Sequence, residues 1–116
     1  MSRAEDPDCI FCRIVAGELG CDRLYEDEAV LAFRDIHPKA PVHGLVIPKR
    51  HVATLDDFGD GDEALLGRLM LVARRIAAEH ALEGYRVAMN VGGLGGQIVF
   101  HAHLHILGGR QMKAMG

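Results

Sequence analysis

Apolar and polar positions change period several times along the chain, and each change predicts an element. Ile10, Phe11, Ile14 and Val15 recur at helical spacing within "DPDCIFCRIVAGEL", which predicts a short helix ending near "AGELG". "DRLYED" and "AVLAFRDI" predict two strands joined by a tight acidic turn near Asp27. "HPKAP" is a proline-bounded loop, and "VHGLVIP" a third strand closed by Pro48. Leu65, Leu66, Leu69, Val72, Ala73 and Ile76 then form an apolar stripe, with Arg68, Arg74, Arg75 and Glu79 off it. That is the pattern of one long helix lying across a sheet. Asp60 is expected to cap this helix with Glu63 as capping-box partner, and Gly84 to supply its C′ residue. "YRVAMNV" reads as a fourth strand, "GGLGGQ" as a glycine-rich loop and "IVFHAHLHIL" as a fifth strand. Sequential strands, one long helix and no βαβ alternation indicate an antiparallel α+β domain.

Composition narrows the class of partner. At 116 residues the chain has the length of one domain, so residues 1–116 are read as a single unit. Hydrophobic residues make up 49% and charged ones 25%, enough for an ordinary soluble core. The net charge of −3 carries no general nucleic-acid or membrane footprint, so a small molecule or another protein is the expected partner. No apolar run approaches the roughly 18 residues of a membrane span, and "MSRAEDPDCIFC" has no signal-peptide core. Three cysteines are too few for a disulfide framework, and a reducing cytoplasm is the expected location.

The chemistry concentrates in "HAHLH". On a strand, side chains alternate between faces. Phe100, Ala102, Leu104 and Ile106 are therefore expected to face the core under the long helix. His101, His103 and His105 would face the other way, in a row with neighbours about 6.5–7 Å apart. Such a row is a solvated strand face, a His-x-His metal ligand set, or a catalytic device with one imidazole as nucleophile and the others as hydrogen-bond partners. The glycine-rich loop just before it favours the catalytic device, because it lets backbone N–H groups approach a phosphate.

"HAHLHIL" resembles the signature of the histidine triad nucleotide-binding family. "IFCRIVAGE", "YEDEAVLAFRDIHPKAPVHGLVIPKRH", "LLGRLM", "GYRVAMN" and "GGQIVFHAHLHILGGRQM" are similar to its Hint branch, the nucleoside phosphoramidate hydrolases. The resemblance implies an α+β fold with a five-stranded antiparallel sheet, one long helix and a short N-terminal helix. It also implies a homodimer that joins two such sheets into one. His103 would be the nucleophile that takes the nucleotidyl group, and water would then release the nucleoside monophosphate. His105 would sit near the phosphoryl oxygens and leaving group, His43 would orient His103, and His101 would complete the row. Asp35 matches an acidic residue for the ribose hydroxyls. Phe11, Phe33, Ile36 and Leu45 match positions that hold the base, which favours a purine of the AMP or GMP type. Asn90, Gly96 and Gln97 match positions around the phosphate. Ile98 stands where many relatives carry Ser or Thr, so one hydrogen-bond donor to the leaving group is missing. The C-terminal tail "QMKAMG" lacks the tryptophan that Hint tails often carry.

Catalysis of this kind needs no cofactor, but the resemblance adds a structural zinc. Cys9 and Cys12 have ligand spacing. Some bacterial triad proteins that begin "C-I-F-C" bind zinc through these cysteines, a histidine placed like His51, and the first triad histidine, here His101. Three other readings stay open: a dinucleoside polyphosphate hydrolase, a nucleotide-binding scaffold with weak catalysis, and a metalloprotein that uses the triad as ligands.

Overall fold

The computed structural model describes residues 4–115. Residues 1–3, at the start of "MSRAEDPDCIFC", and Gly116, at the end of "QMKAMG", lie outside the described residues. In chain order come α1 (Ile10–Val15), β1 (Arg23–Glu26), β2 (Val30–Arg34), β3 (Val42–Pro48), α2 (Glu63–Glu79), β4 (Tyr85–Ala88) and β5 (Leu104–Gly108). The strands form one antiparallel sheet in the order β1-β2-β3-β5-β4. This is the α+β architecture the sequence pattern predicts. Among the described residues no helix is long and apolar enough to cross a membrane.

The sheet buries both faces, and strand alternation decides which residue goes where. On one face Val30, Ala32, Val46, Leu104 and Ile106 meet the α2 stripe of Leu69, Val72, Ala73 and Ile76. On the other, Leu31, Phe33, Leu45 and Ile47 meet Phe11, Cys12 and Ile14 of α1. Two-sided burial explains why β2 and β3 read as nearly continuous apolar runs. Each fully buried Leu or Ile contributes about 1.5–3 kcal/mol. Six residues are too few for a stable isolated helix, so α1 exists because Phe11 and Ile14 are seated on this second face. Its N-cap is Cys9, whose sulfur accepts from the Cys12 amide at 3.3 Å.

Three sequence expectations need correction. Asp60 does not cap α2. It opens a separate 3₁₀ turn (Asp60–Asp62), and Asp62 directs its carboxylate back to the Gly59 amide and to Arg50 rather than into the helix. Gly84 does not supply the left-handed end of α2. Ala81 does, at φ 53°, and Leu82 N–H closes onto Ala77 O at 3.0 Å in a Schellman turn. The fifth strand begins only at Leu104. Residues 98–103 leave the sheet, because Ala102 N–H pairs with Val52 O at 2.7 Å in the segment after β3. Leu104 and Ile106 reach the α2 core as expected, but Phe100 is 47% exposed.

The acidic turn between β1 and β2 ties the hairpin to α2. Asp27 accepts from the Ala29 and Val30 amides, both at 2.8 Å, and from Tyr25 at 2.7 Å. Arg68 of α2 donates to the same carboxylate at 2.9 and 2.6 Å. Burial pushes this carboxyl up, but these hydrogen bonds more than reverse the effect and hold it well below the usual range. Its folded-state pKa is thus depressed below an unfolded value near 3.9. The stabilisation is present above about pH 4 and is lost as the pH falls toward the folded-state value. Asp27→Asn should lower stability at pH 7 by about 1–3 kcal/mol, read from urea midpoints, and the gap should narrow in acid. Equal midpoints at pH 7 would contradict the tie.

Candidate active site

Four histidines lie on the α1 side of the sheet, and each has one nitrogen assigned by a backbone group or a neighbour. Register places Leu45 opposite His105 and His43 opposite Leu107, so His43 and His105 are diagonal neighbours on one face. The Lys39 amide donates to His43 Nδ1 at 3.0 Å. An accepting Nδ1 places the proton of neutral His43 on Nε2. That Nε2–H lies 3.0 Å from His105 Nδ1, with Asp35 Oδ2 at 3.5 Å. His105 then accepts at Nδ1 and carries its own proton at Nε2. His105 Nε2 is buried and has no partner, and an unpartnered buried donor is costly unless a ligand satisfies it.

His103 has the opposite polarity. Its Nδ1 lies 2.7 Å from the His101 carbonyl. A carbonyl can only accept, so the proton is on Nδ1 and the Nε2 lone pair is free. Phe11 packs edge-on against the His103 ring at 5.2 Å, and the His105 ring lies 4.9 Å away on another side. His43 therefore supports His105 directly, not His103 as the sequence suggested. The triad is also not a row on one strand, since only His105 lies within β5. His101 and His103 sit on the bent segment before it and are both buried.

The environment keeps these rings neutral. Burial pulls His105 down to about 4, reinforced by repulsion from His103 and His43. Burial also lowers His43 and His103, against an opposing pull from Asp35 in both cases. A neutral His103 keeps its lone pair at pH 7, which a nucleophile requires.

Asp35, His43 and His105 bring potential ligand atoms within 4.8 Å of one another. The Lys39 amide decides against a metal there, because it leaves His43 presenting an N–H rather than a lone pair. The second cluster is different. Cys9, Cys12, His51 and His101 also place their donor atoms within 4.8 Å. Cys9 Sγ is 3.3 Å and Cys12 Sγ 3.5 Å from His101 Nδ1, and Cys12 Sγ is 3.2 Å from His51 Nδ1. Ligand atoms around a tetrahedral zinc lie about 3.3–3.8 Å apart, given bonds of about 2.0–2.3 Å. His101 Nε2–H donates to the Pro48 carbonyl at 2.7 Å, so its Nδ1 lone pair faces the sulfurs. Burial pushes the Cys12 thiol up to about 12, and Cys9 adds to the rise.

The remaining predicted residues are distributed unevenly. Phe11, Phe33 and Leu45 are buried in the α1-side core, with the two phenyl rings edge-on at 5.4 Å. Asp35 follows β2, and one of its oxygens accepts the His37 amide at 2.8 Å. Ile36 is 82% exposed. Asn90 lies against Gly96 in the loop. Gln97, which the resemblance places around the phosphate, uses its side chain to pin the glycine-rich loop. It accepts from Gly92 N–H and donates to Ala53 O and Val99 O. Ile98 projects outward over a depression of about 330 Å³ that also touches Asp6, Asp8, Cys9 and His51.

The arrangement matches known proteins closely. The family model described as HIT domain matches residues 16–112. The chain belongs to the HIT domain family. An uncharacterized HIT-like protein of Synechococcus elongatus is 50% identical over 106 residues, covering 90% of this chain and 93% of that one. The crystal structure of a HIT family hydrolase from Legionella pneumophila is similar at 48% identity and a TM-score of 0.90, covering 91% and 96% of the two chains. A histidine triad protein from Clostridium difficile aligns along the full length of both chains at 42% identity and a TM-score of 0.91.

The HIT domain's backbone contributions are what sequence reading missed. The Lys39 amide and the His101 and Pro48 carbonyls set the tautomers, and main-chain groups leave no residue-type signal. The assignment of His105 is directly measurable. Its ring resonances should titrate with a midpoint near pH 4, well below the usual 6.5. The folded state then binds fewer protons than the unfolded one between about pH 6.5 and 4, so this group should erode stability as the pH falls through that window. A midpoint at 6.5 or above would contradict the packing described.

Proposed function

We propose that this HIT domain protein hydrolyses the P–N bond of purine nucleoside 5′-phosphoramidates through a nucleotidyl-His103 intermediate, as in the Hint branch. The observation that carries the reading is the opposite polarity of two adjacent imidazoles: His103 offers an Nε2 lone pair, and His105 a buried Nε2–H with no partner. In the first step His103 Nε2 attacks the α-phosphorus, the P–N bond breaks, and the amine leaves with a proton taken from water. The ring becomes a phosphorylated imidazolium whose Nδ1–H stays on the His101 carbonyl. His105 Nε2–H donates to a phosphoryl oxygen and stabilises the charge that develops there. In the second step the hydroxide left by that water attacks phosphorus, the P–Nε2 bond electrons return to the ring, and nucleoside monophosphate departs with neutral His103 restored.

Other residues fit supporting roles. The Asp35 carboxylate would accept from the ribose diol. Phe11, Phe33 and Leu45 would back the base, and the exposed face of Ile36 would be covered by a purine ring. The hydrolase designation of the Legionella relative agrees with this chemistry. Cys9, Cys12, His51 and His101 would hold a structural zinc, which supplies a cross-link between α1, the segment after β3 and the triad, and takes no part in the chemistry. Among the described residues β4 pairs only with β5 and forms a sheet edge, and a second copy would extend the sheet there in a homodimer. A reducing cytoplasm would keep Cys9 and Cys12 available as zinc ligands and suits the remaining cysteine, Cys21.

His103→Ala should reduce kcat by several orders of magnitude while nucleotide binding survives. Near-normal turnover in that variant would remove the mechanism. Comparing kcat/KM for adenosine phosphoramidates with that for dinucleoside polyphosphates tests the substrate class, and a preference for the polyphosphates would overturn it. Protein purified without added metal should carry stoichiometric zinc that is absent from Cys12→Ser, and chelation should lower Tm by several degrees. Metal-free protein with a Tm unaffected by chelator would argue against the site.

A further inference from the structure

The nitrogen polarity of His43 and His105 begins at one backbone amide, that of Lys39. The loop carrying this amide is held from the far end of the chain. After β5 the backbone turns through Gly109 at φ 92°, and a Cβ there would lie 2.9 Å from the side chain of Pro41. Only glycine combines this left-handed conformation with so close an approach. The turn brings Arg110 over the loop, where its guanidinium donates to the Lys39 carbonyl at 3.0 Å. The two ends of the Lys39 residue are thus both engaged: its carbonyl by Arg110, its N–H by His43 Nδ1.

We infer that Arg110 is a positioning residue for the proposed hydrolysis, acting through the Lys39 backbone to hold His43 in the Nε2–H tautomer and thereby to aim the His105 Nε2–H at the substrate. Arg110 is exposed, and its hydrogen bonds among the described residues go to the Lys39 and Gln111 carbonyls, not to the four histidines. The chain of contacts runs from the Arg110 guanidinium to Lys39 O, from Lys39 N–H to His43 Nδ1, and from His43 Nε2–H to His105 Nδ1. Each link is directional. If Lys39 shifts, His43 Nδ1 loses its donor and only the longer Asp35 contact, 3.5 Å from Nε2, still favours a proton on Nε2; a proton moving to Nδ1 leaves two lone pairs facing each other across the His43–His105 contact. His105 would then have to invert, and its Nε2 would present a lone pair to the phosphoryl oxygen instead of a donor.

This inference rests on the proposed hydrolysis for its rate consequence but not for its structural one, so two readouts separate them. Long-range proton–nitrogen spectra of histidine-labelled protein at neutral pH should show His43 and His105 both as Nε2–H tautomers. A coupling through the hydrogen bond should link the Lys39 amide nitrogen to His43 Nδ1. In Arg110→Ala the His43 nitrogens should shift toward a mixture of tautomers, while Lys39→Ala, which keeps both backbone groups, should retain the wild-type pattern. Arg110→Ala should also lower kcat about two- to tenfold, the range for one hydrogen bond, with KM little changed. An Nδ1–H tautomer for His43 in the wild type, or wild-type tautomers and kcat in Arg110→Ala, would overturn the inference. Wild-type tautomers as described, without phosphoramidate turnover, would support the positioning chain and count against the proposed activity.

Discussion

A neutral imidazole has one donor and one acceptor nitrogen, and burying it obliges both to find partners. Four histidines are placed under that constraint on one face of the sheet. The partners are main-chain groups wherever direction matters: Lys39 N–H for His43, the His101 carbonyl for His103, the Pro48 carbonyl for His101. A main-chain amide can only donate and a carbonyl only accept, so each contact fixes a tautomer. The result is a set of rings with defined polarity before any ligand arrives, which is the sense in which the site is preorganised.

The fold supplies these partners because the sheet is covered on both sides. Helix α2 anchors one face with Leu69, Val72, Ala73 and Ile76, and leaves the other face to carry the histidines. That second face cannot be sealed by α1 alone, which has six residues. It is completed by the segment after β3, where Val52 O holds Ala102, and by the glycine-rich loop that Gln97 staples to Ala53 and Val99. The Cys9–Cys12–His51–His101 cluster lies where these pieces meet. His101 belongs to both systems, with its ring in the cluster and its carbonyl on the His103 Nδ1–H.

Much of this was legible in the sequence for physical reasons. Helical spacing from Leu65 to Ile76 located α2, and the apolar runs of β2 and β3 marked two strands, whose burial on both faces the structure adds. Cys9 and Cys12 fall at the N-cap and first turn of α1, so their spacing already implied sulfurs on one side. What failed was the extension of strand periodicity through "IVFHAHLHIL". Alternation predicts a strand wherever polar and apolar residues alternate, yet pairing requires a neighbour, and Ala102 finds its neighbour outside the sheet. For the same reason Phe100 is half exposed and His101 is fully buried. The partner read for His43 differs because it depends on which main-chain atoms lie within reach, and side-chain identity does not encode that. Arg110 was visible as part of "ILGGRQM", but its task depends on the Gly109 turn meeting Pro41, a contact between residues 68 positions apart in the chain.

The central claim is that the lone pair on His103 Nε2 forms a bond to phosphorus. Acid-free quenching during turnover of an adenosine phosphoramidate, followed by peptide mapping, tests it most directly. The account predicts an adenylyl adduct confined to His103 and attached at Nε2, with Nδ1 still protonated. An adduct on His105 or His101, attachment at Nδ1, or turnover with no covalent nucleotide at any stage would contradict it.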